Sequence, residues 1–202
     1  MAAFLIFGEI QNMNNQFPPI ILASKSPRRQ ELLKLMGIDF RVVLKEVDES
    51  FPDGLEPHEI ALYISEKKAK AFDEMVIDEI VITADTIVVI DGKILGKPES
   101  EENAFEILTT LSGNMHQVIT AVSLLKNGQI HSFYEISEVF FKPITEEQIR
   151  YYIKTGNPMD KAGAYGIQEW IGLVAIEKIN GSYTNVVGLP THRLYQELCS
   201  LI

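Results

Sequence analysis

The chain has 202 residues, 46% of them hydrophobic, enough for one large domain or two lobes sharing a core. Its formal charge of -10 excludes a general nucleic-acid binder, which needs an extended basic surface, but leaves room for a small anion held by a few local cations. The single cysteine, Cys199, excludes an internal disulfide and fits a reducing cytoplasm.

Residues 1–18 read as an N-terminal extension, disordered or packed on the body, ahead of one domain over 19–202. The apolar opening at 2–7 is interrupted by Glu9 and has no basic residues before it, so it is too short for a membrane helix or signal peptide, and no membrane partner is expected. A short buried strand is predicted over 20–23 and a helix over 27–36, with Ser24 or Ser26 as cap, Pro27 in the first turn and Gly37 past the end. Arg28 and Arg29 fall in that first turn, where the helix dipole and unsatisfied N–H groups disfavour cations unless an anion binds in front of them. The plain alternative is a pair of solvated arginines.

A strand at 40–44 is followed by a helix from Pro57 to about Met75, with Ile60, Ile64, Ala71, Phe72 and Met75 on one face. Lys68 falls inside that stripe, where a lysine either snorkels or meets an anion. An apolar strand at 80–90 leads into the Asp91-Gly92 hairpin signal, and Ser100 caps a helix through Leu111. Strands at 117–125 and 130–141 flank Asn127-Gly128. Thr145 and Gln148 form a capping box for a helix that stops at Gly156. The stretch 160–168, rich in small residues, reads as a functional loop; a strand at 173–179 and a helix at 190–198 complete the chain. Alternating elements followed by hairpins point to an α/β or α+β fold around a mixed sheet.

Asp85 interrupts a run that is otherwise apolar. Either a cation or metal holds it ionised, or its pKa rises and it becomes a proton acceptor; an aspartate exposed at a bulge is the third reading. Thr86 beside it adds a hydroxyl. Glu46, Asp48 and Glu49 form an acidic cluster that suits a hard divalent cation but reads equally well as a solvated loop. Lys97, in Leu95-Gly96-Lys97-Pro98, is presented on a rigid turn. No phosphate loop of the GxxxxGK[ST] type, GxGxxG, CxxC or HExxH is present, and the four histidines lack metal-ligand spacing.

Taken together, Ser24-x-Ser26-Pro27-Arg28-Arg29, Glu66-Lys67-Lys68-Ala69, Ala84-Asp85-Thr86, Gly96-Lys97-Pro98, Leu111-Ser112-Gly113, the loop from Asp160 to Gln168, and Gly181-Ser182-Tyr183 resemble the Maf family of nucleoside triphosphate pyrophosphatases. The resemblance runs from Ile21 to about Leu198. It implies a twisted mixed sheet with flanking helices in two lobes around a nucleotide cleft, similar to the inosine triphosphatase architecture. It also implies hydrolysis of a nucleoside triphosphate at the α-phosphorus to monophosphate and pyrophosphate.

By the same resemblance Asp85 is the proton acceptor, and a divalent metal, magnesium or manganese, is held by Glu49 and Asp85. Ser24, Arg29, Lys68 and Lys97 bind phosphate. Arg28, Thr86 and Gln168 match the branch of the family that prefers dTTP and UTP. A Gln amide donates and accepts together, as a uracil or thymine edge requires. The alternatives are a 7-methyl-GTP pyrophosphatase and a nucleotide-binding regulator of septum formation. Family members are often homodimers, although no heptad pattern marks an assembly surface here.

Overall fold

Five residues near the middle of β3 set the plan of the molecule, because strands approach both ends of one of its edges and leave the middle bare. The structure, a computed structural model, describes residues 17–73 and 78–202. In chain order the elements are β1 (Ile20–Leu22), α1 (Pro27–Leu35), β2 (Phe40–Val42), α2 (Pro57–Lys70), β3 (Ile80–Ile90), β4 (Lys93–Leu95), α3 (Glu101–Leu111), β5 (Met115–Lys126), β6 (Gln129–Phe141), α4 (Glu146–Thr155), α5 (Trp170–Ala175), β7 (Ile176–Asn180), α6 (Tyr183–Val187) and α7 (Thr191–Ser200). Two short 3-10 turns, Pro158–Asp160 and Ala162–Ala164, lie between α4 and α5.

The strands form one mixed sheet in the order β2-β1-β3-β5-β6-β7, with β4 also paired to β3. β1 runs parallel to β2 and β3, and every other pairing is antiparallel. The α/β class with a mixed sheet is therefore as expected. Both hairpins use the residues their turns require: Asp91 and Gly92, then Asn127 and Gly128, all have positive φ. Ser26 caps α1, Ser100 caps α3, and the Thr145–Gln148 box opens α4.

β5 covers one edge of β3 from Val81 to Val89. On the other edge β1 pairs with residues 80–82 and β4 with 88–90, so among the described residues no strand lies beside 83–87. A break of this kind at the C-terminal end of a parallel strand is where open α/β sheets place ligands. Alternation along β3 sends Val81, Ile87 and Val89 into small clusters with Ala61 and Ala69 of α2, while Ile82, Ala84 and Val88 enter the main core on the opposite face. Asp85 thus shares the α2 face and Thr86 faces the other way.

Three elements differ from the sequence-based expectations. The strand expected over 173–179 is helical through Ala175 and becomes strand only at Ile176. Ile171 and Ala175, four apart, are buried while Leu173 is exposed, so the apolar run follows a helical period. The five-residue helix α6, capped by Ser182, was not anticipated from the sequence. Helix α2 ends at Lys70, although Phe72 remains buried; Met75 and residues 1–16 of the expected extension lie outside the described residues. Phe17 packs edge-on against Tyr195 of α7.

Candidate active site

At the bare stretch of β3 opens a cleft of about 1320 Å³, large for a small-molecule site. Its lining includes Ser24, Arg28, Arg29, Glu49, Lys68, Asp85, Thr86 and Lys97, so eight of the nine residues expected at a site converge there. Seven cationic and five acidic side chains line it, an excess of positive charge within a chain of net charge -10. That inversion of sign favours an anionic ligand.

Lys68 does not snorkel. Its Nζ lies 2.8 Å from Asp85 Oδ1 and 2.9 Å from Glu49 Oε1, so one ammonium bridges the two carboxylates. The docking of α2 makes this reach possible: buried Thr83 donates from Oγ1 to the Ser65 carbonyl at 2.7 Å, and the Ser65 and Ser123 hydroxyls meet at 2.8 Å. Asp85 is two residues beyond Thr83 on the same strand face, and Lys68 is nearly one turn beyond Ser65. Burial alone would push the Glu49 carboxyl up. The hydrogen bond and charge of Lys68, with Lys97 and Arg29 adding, hold it below its ordinary value instead.

Ser26 accepts from the Arg29 backbone N–H, and Ser24 Oγ accepts from both the Ser26 N–H and Arg29 Nη1. The Arg29 side chain then crosses the gap in the sheet. Its Nε donates to the Gly188 carbonyl at 2.8 Å, Nη1 to the Ala84 carbonyl at 3.0 Å, and Nη2 to Thr86 Oγ1 at 2.9 Å. With the bond to Ser24, four of the five guanidinium N–H groups are taken by the protein. Arg28 is freer, with only a 3.9 Å approach to Asp160, and Lys97 is exposed.

Gln168 is the ninth expected residue. It is exposed and adjacent in sequence to Gly166 and Ile167, which line the cleft as it does not. The loop that carries it is built on Lys161, a residue not singled out from the sequence. Lys161 is buried, pairs with Asp160 at 2.7 Å and Glu169 at 2.8 Å, and donates to the Asn157 carbonyl. Glu169 also accepts from the Tyr152 hydroxyl, which accepts from the Gly166 N–H at 3.1 Å. The signal available in the sequence was one lysine set among small residues between Asp160 and Glu169.

A mixed sheet with a cation-lined cleft at its broken edge, and a pair of carboxylates sharing one ammonium inside it, defines an α/β protein built to hold a polyanion. A model of the Maf family, described as Maf-like protein, matches residues 19–201, and the chain belongs to that family. It is 52% identical over 184 residues to a dTTP/UTP pyrophosphatase of Phocaeicola vulgatus, covering 90% of this chain and 95% of that one. A dTTP/UTP pyrophosphatase of Cytophaga hutchinsonii is 51% identical over 179 residues, covering 89% and 82%. Among solved structures, a HAM1 protein from Coxiella burnetii aligns with a TM-score of 0.46 at 15% identity, over 90% of this chain and 98% of that one.

Proposed function

We propose that the protein is a nucleoside triphosphate pyrophosphatase that hydrolyses dTTP and UTP to the monophosphate and pyrophosphate. The observation that carries this reading is the Glu49–Lys68–Asp85 arrangement in a cleft of reversed charge, on a chain about half identical to relatives named for that activity. Asp85 is the proton acceptor for the water that attacks the α-phosphorus. Lys68, Lys97 and Ser24 contact the phosphates, where charge on the leaving pyrophosphate grows in the transition state. Arg29 has one N–H left for that task.

Arg28 and Gln168 set the nucleobase preference, whereas Thr86, expected to join them, accepts from Arg29 Nη2 and serves the phosphate end of the cleft. Gln168 stands just outside the cleft lining, beside Ile167, and would meet a pyrimidine edge with the one donor and one acceptor of its amide.

Among the described residues, no group of three His, Cys, Asp or Glu side chains is placed to hold a metal ion. Glu49 and Asp85 already flank one cationic group, and two carboxylates are what magnesium takes when substrate phosphate and water complete its shell. These two residues would hold magnesium or manganese, which would neutralise phosphate charge. No helix among the described residues is long and apolar enough to cross a membrane. A nucleotide substrate fits work in the cytoplasm.

The test is a panel of nucleoside triphosphates with magnesium or manganese, followed by pyrophosphate release. Turnover of dTTP and UTP above the purine nucleotides is expected. A protein inert toward both overturns the proposal.

A further inference from the structure

Thr120 lies outside the cleft lining and is fully buried, yet it sits at the end of a hydroxyl chain that starts in the cleft. It is the cross-strand partner of Thr86, β5 against β3. Thr86 Oγ1 and Thr120 Oγ1 are 3.0 Å apart, and Thr120 Oγ1 donates to the Asn185 carbonyl at 2.9 Å.

The direction of this chain follows from its two ends. Asn185 O only accepts, so the Thr120 proton goes there; Thr120 Oγ1 must then accept, and the Thr86 proton is spent on it. At the other end Arg29 only donates, so Thr86 Oγ1 accepts from Nη2. Thr86 has no proton to offer a ligand. Asn185 is itself fixed, because its side-chain amide donates to the Val118 carbonyl at 3.0 Å and Ser137 Oγ at 2.9 Å. The anchor therefore belongs to the rigid β5–β6 pair, and the residue after α6, Gly188, takes Arg29 Nε. At Gly188, φ is +119°, and a Cβ would stand 3.5 Å from Thr86 Oγ1.

We infer that Thr120 is a positioning residue for the cleft: through Thr86 it holds the Nη2 end of the Arg29 guanidinium and hence the direction of its one uncommitted N–H toward phosphate. Thr86 acts on catalysis by holding Arg29 and not by donating to the nucleobase. The inference deepens the proposed function and rests on the cleft binding a triphosphate. Removing either hydroxyl without changing shape, as valine does for threonine, loosens the Nη2 end of Arg29, which is then held only through Nε and Nη1.

The experiment compares wild type with Thr86→Val, Thr120→Val, the double variant and Thr120→Ser. Calorimetric titration with inorganic triphosphate and magnesium is paired with kcat and KM for dTTP, UTP and CTP. Each single valine variant is expected to weaken triphosphate binding by about tenfold, the scale of one hydrogen bond to a charged group, and to lower kcat for dTTP and UTP by a common factor. The double variant should be no worse than either single one, and Thr120→Ser should stay within about twofold of wild type. If Thr120→Val does not fold, Thr120→Ala makes the same comparison.

Thr120 variants that bind and turn over like wild type while Thr86→Val is impaired overturn the inference. So do losses that multiply in the double variant, or a Thr86→Val enzyme that changes its ratio of dTTP to CTP turnover at unchanged triphosphate affinity. A wild type that binds triphosphate but hydrolyses no nucleotide overturns the proposed function, and the binding comparison still decides the coupling.

Discussion

Lys68 and Asp85 meet at 2.8 Å, one from the buried face of helix α2 and one from the bare stretch of strand β3, with Glu49 completing the pair of carboxylates on the same ammonium. Removing that ammonium leaves two carboxylates facing one another across the cleft. Lys68→Met is expected to lower kcat by about 100-fold, the effect of losing one preorganised charge at a transition state. Because Lys68 is what holds Glu49 below its ordinary pKa, the acid limb of the kcat/KM profile should move to higher pH in the variant. An unmoved acid limb would show that Glu49 ionisation does not matter to the site.

His116 gives a pH signature in stability. It is buried between Phe141 and Tyr165, its Nε2 meets the Tyr165 hydroxyl at 2.8 Å, and its Nδ1 has no partner among the described residues. Burial pushes its pKa from 6.5 down to about 4. Between those values the unfolded chain binds a proton that the folded chain refuses, so stability from this residue is complete above pH 6.5 and is lost as pH falls toward 4. The loss amounts to about 3 kcal/mol. Urea unfolding at several pH values should show this slope, and His116→Gln should flatten it. An equal slope in the variant would mean that other groups carry it.

Gly172 tests how the loop that carries Gln168 is held. A Cβ at this position of α5 would lie 2.0 Å from the Ile167 carbonyl oxygen, in the residue just before Gln168. Gly172→Ala must push α5 and the loop apart. A cost of about 2 kcal/mol in stability is expected, with a rise in KM larger than any fall in kcat. Thermal unfolding and steady-state kinetics check both, and an unchanged KM would show that the loop does not set substrate affinity.

Much of this molecule is legible in its sequence wherever the signal is local. The bounds of β3 follow from a β-branched run ending in Asp-Gly, and α3 and α4 begin at their serine and threonine caps. Lys68 and Asp85 are legible as exceptions, because each breaks an apolar pattern, but the sequence leaves snorkelling, a raised pKa or an exposed bulge open, and only the fold pairs the two. The Arg29 network is not legible. Its acceptors at Gly188 and Ala84 are main-chain carbonyls 159 and 55 residues away, and main-chain groups leave no mark in a sequence. Thr120 is hidden for a related reason: a lone threonine in a strand is ordinary until its cross-strand partner is known. The strand expected in place of α5 shows the remaining weakness, since a short apolar run carries no period of its own until burial reveals which residues face inward.

The position at which water enters the substrate defines the reaction. Hydrolysis of dTTP in oxygen-18 water, with products resolved by mass spectrometry, should place the label in thymidine monophosphate and leave pyrophosphate unlabelled, and Asp85→Asn should abolish most of that labelling while still binding nucleotide. Label recovered in pyrophosphate, or release of orthophosphate in its place, would contradict attack at the α-phosphorus and with it the role assigned to Asp85.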